Sequence, residues 1–304
     1  TAEQITSSSV TFQVSFSEAV VNVGTDDFVP SGTAGGSVSS VSVSGDTTVT
    51  LSSLGDGTVG LDLAILSNRD LQDPAGNQPG TVVSEETYTV DTSTPTVTAI
   101  TRSSPTSEVT NNLSVTFGVS FSETVVNVGA DDFDLSGTAP GGDTNIDNVS
   151  TAGSDTTVTV TGLLSDGDVG LTLLGSADIQ DPAGNGLGGG EPLTEAYVID
   201  QTAPTVTAIT RSSPTSEVTN NSSVTFAVSF SETVEALDAN DFTLGSAPTG
   251  ATIDGINTPG DTTVVVSGIG GDGTLDLDVS GGGTTQDPAG NGLNPVAPST
   301  DETY

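Results

Sequence analysis

The 304-residue chain contains no cysteine, methionine, tryptophan or histidine, and its three basic residues are all arginine. Each absence excludes something. Without cysteine no disulfide forms, which removes the small stapled secreted scaffolds. A Ser-His-Asp triad, a cysteine nucleophile, a Schiff-base lysine and a zinc site each need a residue type that is missing, so an enzyme is not expected. Isopeptide cross-links from lysine to asparagine are excluded as well. Arg69, Arg102 and Arg211 stand far apart among 40 acidic residues, in a chain of formal charge −37. That distribution forms no basic patch and repels phosphate, so nucleic acid is not an expected partner. No apolar run approaches the roughly 18 residues of a membrane-spanning helix, and the first residues are polar without a basic segment. Neither membrane insertion nor a targeting signal is read here.

Hydrophobic residues make up only 33% of the chain and aromatics 4%, a composition close to that of disordered proteins. Periodicity argues the other way. Val10, Phe12, Val14 and Phe16 alternate strictly with polar residues, as a half-buried strand requires and a solvated coil does not. The chain is expected to fold around lean cores.

The sequence repeats itself three times. VTFxVSFSE begins at Val10, Val115 and Val224; Asp-Pro-Ala-Gly-Asn begins at Asp73, Asp181 and Asp287; a tyrosine closes each unit at Tyr88, Tyr197 and Tyr304. Linking segments run from Thr89 to Pro105 and from Val198 to Pro214, and residues 96–112 are identical to 205–221. The units are read as 1–91, lacking its first strand, 92–200, and 201–304, ending at its last strand. On this reading the piece belongs to a longer array.

Within the second unit seven strands are expected: Thr96–Thr101, Ser114–Ser122, Val125–Phe133, one near Asn145–Ser150, Thr156–Thr161, Val169–Leu174 and Ala196–Ile199. Nothing reads as a helix. Seven short alternating strands separated by turn signals predict an all-β fold of tandem seven-stranded immunoglobulin-like β-sandwiches in a linear array.

Strand alternation then places the loop after VTFxVSFSE and the Asp-Pro-Ala-Gly-Asn loop at one pole of each sandwich, where the linker aspartate also enters. The first junction should collect Asp91, Glu123, Asp178, Asp181 and Asn185, and the second Asp200, Glu232, Asp287 and Asn291. The equivalent pole of the first unit carries Glu18, Asp70, Asp73 and Asn77. Carboxylates confined together repel unless a cation joins them. Calcium, which takes six to eight oxygen ligands, fits a sequence that offers only hard oxygen donors; magnesium, with its tighter octahedron, ranks second. The alternative is that Asp-Pro-Ala-Gly-Asn is only a tight turn whose aspartate accepts backbone N–H groups. Thr284 replaces the aspartate found at Asp70 and Asp178, so weaker binding is expected at the second junction. The Gly-Asp-Gly at 55–57, its counterparts at 165–167 and 271–273, and the Asp-Asp-Phe blocks at 26 and 131 read as turn or strand-end features at the opposite pole, with Phe28, Phe133 and Phe242 in the core.

At the FSE, Asp-Pro-Ala-Gly-Asn and Tyr-x-x-Asp-x-x-x-Pro blocks the chain resembles bacterial immunoglobulin-like tandem repeats of large extracellular adhesins and biofilm proteins. The resemblance covers all three units. It implies a cell-surface array, commonly calcium-bound at module junctions, acting as a stalk whose partners are neighbouring modules of the same long chain, with lateral self-association into a filament or matrix. Two other roles remain open. One is an adhesive, glycan-binding module, against which the scarcity of aromatic platforms argues. The other is an acidic surface adapted to high salt without specific ion sites.

Overall fold

Alternation of small polar and β-branched residues, interrupted by glycine-rich and asparagine-rich turns, makes strands rather than helices, and the chain is all-β. A computed structural model describes residues 3–44, 46–64, 70–80, 86–139, 141, 143–175, 178–189, 194–257, 262–280 and 283–304. No α-helix occurs among the described residues, and no helix there is long and apolar enough to cross a membrane.

The first unit holds β1 (Glu3–Ile5), β2 (Val10–Val14), β3 (Phe28–Gly32), β4 (Ser37–Ser42), β5 (Thr47–Ser52), β6 (Gly57–Leu63) and β7 (Tyr88–Val90). The second holds β8 (Val97–Ser104), β9 (Val109–Thr110), β10 (Ser114–Phe121), β11 (Phe133–Ser136), β12 (Asn145–Ala152), β13 (Asp155–Thr161), β14 (Gly167–Leu173) and β15 (Glu195–Ile199). The third holds β16 (Val206–Ser213), β17 (Ser223–Phe230), β18 (Phe242–Leu244), β19 (Thr252–Asn257), β20 (Thr262–Ser267), β21 (Leu277–Val279) and β22 (Thr300–Asp301).

The second unit shows the plan most fully. One sheet runs β12-β13-β10-β8 and the other β11-β14-β15-β9, the two-sheet strand order of an immunoglobulin-like sandwich. Inward residues of both sheets meet in a core that includes Phe117, Phe121, Val158, Leu171 and Tyr197, with Phe133 closing one end. Equivalent cores form around Phe12, Val49 and Phe28, and around Phe226, Val264 and Phe242. Phe28, Phe133 and Phe242 are thus buried as expected.

Two expectations change. The leading strand divides: β8 pairs antiparallel with β10, and after Pro105, which has no N–H to donate, the chain crosses to the other sheet, where β9 runs parallel to β15. In the first unit β1 takes the place of β9, pairing parallel with β7. The expected strand Val125–Phe133 begins only at Phe133. Asn127 adopts a left-handed φ of 63°, residues 130–132 form a 3₁₀ turn, and only Val126 makes an isolated bridge, to Gln180. The cause is Asp132, buried, whose Oδ2 accepts the Gly129 N–H at 2.7 Å and Oδ1 the Asp178 N–H at 3.3 Å. A carboxylate that satisfies backbone donors in this way favours a turn over a ladder.

Candidate metal centre

The Asp-Pro-Ala-Gly-Asn loop is built around its own aspartate. Asp181 Oδ1 accepts the N–H groups of Gly184 and Asn185 at 2.7 and 2.9 Å, and Oδ2 accepts Asn185 Nδ2 at 2.8 Å. Gly184 sits at a φ of +102°, where a side chain would be strained. Asp287 repeats these bonds with Gly290 and Asn291, and Asp73 makes its own with Ala75 and Asn77. The tight-turn alternative is therefore realised in full. It does not exhaust the carboxylate. An ionised carboxyl offers about four acceptor positions, three of which the turn occupies, leaving one on Oδ2.

The turn aspartate also has acidic neighbours. Carboxylate oxygens of Asp91, Glu123 and Asp181 lie within 4.8 Å of one another, and so do those of Asp200, Glu232 and Asp287. Each group joins three distant blocks: the linker after β7 or β15, the loop after β10 or β17, and the Asp-Pro-Ala-Gly-Asn turn. Asp181 and Asp287 are buried and the other four half-buried. Three like charges this close repel by about 3 kcal/mol per pair at an effective dielectric near 20, before solvent screening. Burial first, then the charges of Asp91, Asp181 and Asp56, push the Glu123 carboxyl above its ordinary range. Burial, Asp200, Asp287 and Asp166 do the same to Glu232. Burial also works to raise Asp181, but the Asn185 side chain and the turn N–H groups outweigh it and hold that carboxyl low.

Asn185 and Asn291 come to the sites in a bracing role. Asn185 Nδ2 also donates to the Asp91 carbonyl at 2.8 Å, and Asn291 Nδ2 to the Asp200 carbonyl at 2.8 Å. The linkers are gripped from the other side too. Asp56 accepts Thr92 N–H, Thr92 Oγ1 and Ser93 Oγ at 2.8, 2.8 and 2.6 Å, and Asp166 accepts Gln201 N–H and Thr202 Oγ1, both at 2.6 Å. The Ser93 hydroxyl above all lowers the Asp56 pKa, and the Thr202 hydroxyl that of Asp166. The turns at 55–57 and 165–167 do lie at the opposite pole of their own unit, but that pole faces the next unit. Their signal in the sequence is a near-constant spacing from the linker, 35 residues from Asp56 to Asp91 and 34 from Asp166 to Asp200.

Asp178 does not join the first group. Its side chain is exposed, and its backbone N–H serves Asp132. The substitution by Thr284 in the third unit therefore removes no member of the second group, and the expected weakness of that site loses its basis. In the first unit Glu18, Asp73 and Asn77 line one groove, while Asp70 offers its carbonyl to Asn22 Nδ2 at 3.4 Å. No group of three carboxylates forms at that pole among the described residues. A third acidic group is formed by Asp276, just before β21, Asp278 on β21 and Asp301 on β22. Asp-x-Asp at the entry to a strand, where alternate residues of extended chain share a face, is the signal for this group in the sequence. Arg102 and Arg211 are not isolated in space: they pair with Glu195 and Glu302. Arg69 lies outside the described residues.

No family model and no curated protein matches the chain. Among solved structures it is similar to FdeC, an Escherichia coli adhesin, at 12% identity and a TM-score of 0.43, covering 100% of this chain and 94% of that one. It is similar to invasin, a bacterial integrin-binding protein, at 14% identity and a TM-score of 0.30, covering 91% of this chain and 54% of that one. The T6 backbone pilin of Streptococcus pyogenes matches at 12% identity and a TM-score of 0.18, covering 87% and 64%.

Proposed function

We propose that residues 1–304 form a non-catalytic structural segment of an extracellular stalk or fibre, stiffened by calcium held at two junctions between units 1–91, 92–200 and 201–304. One observation carries this reading: the linker aspartate, the loop glutamate and the turn aspartate converge twice, at equivalent positions. Two oxygens on opposite sides of a calcium ion, each 2.3–2.6 Å from it, are roughly 4.6–5.2 Å apart, so oxygens that all lie within 4.8 Å of one another are close enough to share one such ion. A cation there replaces mutual repulsion with joint coordination, and it fastens the linker of one unit to two loops of the next. The sequence supports calcium over softer metals because no thiol or imidazole is available.

Small-angle scattering and thermal melting of the chain, in EDTA and in millimolar calcium, test the proposal. Calcium should extend the particle and raise its melting temperature, with a smaller response to magnesium. Identical profiles and melting in both conditions, or equal stabilisation by sodium chloride, contradict it.

A further inference from the structure

The first unit differs from the other two along one edge. In the second unit β10 lies between β13 and β8, and in the third β17 lies between β20 and β16. Among the described residues of the first unit, β2 pairs with β5 alone. Its free edge borders a groove of about 1020 Å³ whose lining includes Phe12, Val14, Phe16, Glu86 and Tyr88.

Three features of this groove say what fits it. Its floor is apolar and incompletely covered: Val14 and Phe16 are half-buried, whereas their counterparts Val119 and Phe121, beneath β8, are 1% and 5% exposed. Its lining is acidic, with Glu18, Asp62, Asp73 and Glu86, and of these Glu86 has a paired counterpart in each of the other units. Glu86 stands where Glu195 and Glu302 stand, and those two hold Arg102 of β8 and Arg211 of β16, yet Glu86 is exposed and has no ion pair among the described residues. Its wall carries an unused hydroxyl. Tyr197 Oη shares its proton between the carbonyls of Pro105 and Thr116, at 2.7 and 2.8 Å, and Tyr304 Oη does so between Pro214 and Thr225, at 2.6 and 3.0 Å. Tyr88 keeps the same edge-on contact with Phe12, ring centroids 5.3 Å apart, but its hydroxyl makes no hydrogen bond among the described residues.

We propose that this groove is a docking site for one extended strand of the Val-Thr-Ala-Ile-Thr-Arg type, added antiparallel to β2. The register follows from β8: Val97, Ile100 and Arg102 oppose Phe121, Val119 and Phe117, so the incoming valine, isoleucine and arginine oppose Phe16, Val14 and Phe12. Main-chain bonds to the open edge supply affinity, and the alternating side chains together with Glu86 supply selectivity. The occupant is a strand of this repeat type from outside residues 1–304, because 97–104 and 206–213 are already held in their own sheets.

A fluorescent peptide with the sequence of residues 95–105, titrated into the whole chain, tests this by anisotropy, with amide exchange read on β2. Saturable one-to-one binding and slowed exchange at Thr11–Ser15 are expected. Ile100→Asp in the peptide should weaken binding by at least about tenfold. Arg102→Glu in the peptide and Glu86→Arg in the chain should each weaken it, and the two together should restore it. No saturable binding up to about 1 mM, indifference to the charge exchange, or protection away from β2 overturns the proposal. Self-association of the chain that protects β2 and resists competition by the peptide also overturns it, by assigning the groove to a second copy.

Discussion

Asn185 Nδ2 donates to the main-chain carbonyl of Asp91 at 2.8 Å, tying the linker that leaves the first unit to the Asp-Pro-Ala-Gly-Asn turn of the second. The same nitrogen bonds Asp181 Oδ2 at 2.8 Å, so one amide positions two members of the acidic group. Asn185→Ala should therefore act at the junction and leave the second unit's core intact. A loss of about 1–2 kcal/mol is expected from the two unmade bonds, read by chemical denaturation in calcium. Asn291→Ala should match it. Unchanged stability in both variants would separate the turn from the junction.

Glu123 gives a prediction whose sign depends on the ion. Its carboxyl is raised by burial and by neighbouring carboxylates. In EDTA its contribution is fully present below the ordinary value of 4.5 and is lost as pH rises through the higher folded value. Glu123→Gln should thus raise the melting temperature at pH 7 in EDTA and lower it in saturating calcium. A shift of the same sign in both conditions contradicts the assignment.

Asp181 titrates in the opposite sense. Its lowered folded pKa gives stability that is present above the ordinary value of 3.8 and is lost as pH falls through the folded value. Asp181→Asn should cost stability at pH 7, with the difference from wild type shrinking in strong acid. Melting curves from pH 7 down to pH 2 (about one to two units below an ordinary aspartate) check this, and a pH-independent difference would refute it.

The three closing tyrosines should not respond alike. Tyr197 is fully buried and its hydroxyl serves two carbonyls, so Tyr197→Phe should cost about 1–2 kcal/mol. Among the described residues Tyr88 has no such partners, and Tyr88→Phe should change stability by less than about 0.5 kcal/mol. Equal costs in urea denaturation would contradict the account of the first unit's open edge.

Much of this was legible in the sequence because the repeat constrains it. Alternation at Val10, Phe12 and Val14 gave a strand with the right face inward, and strand reversal brought Asp91, Glu123 and Asp181 to one place. What escaped were features that depend on backbone direction. The stretch from Val125 to Phe133 is apolar enough for a strand, but Asn127 and the buried Asp132 turn it. Asp178 is near Asp181 in sequence, yet its carboxylate faces solvent. Asp56 was assigned to a remote pole, because a pole remote within one unit adjoins the next, and single-unit reasoning does not see that.

Calcium titration calorimetry of the whole chain, with Asp181→Asn and Asp287→Asn in parallel, decides whether the two acidic groups hold the ion. Two sites of similar affinity are predicted, each substitution abolishing or strongly weakening one and sparing the other. An absence of saturable calcium binding, or a stoichiometry unchanged by both substitutions, would contradict it.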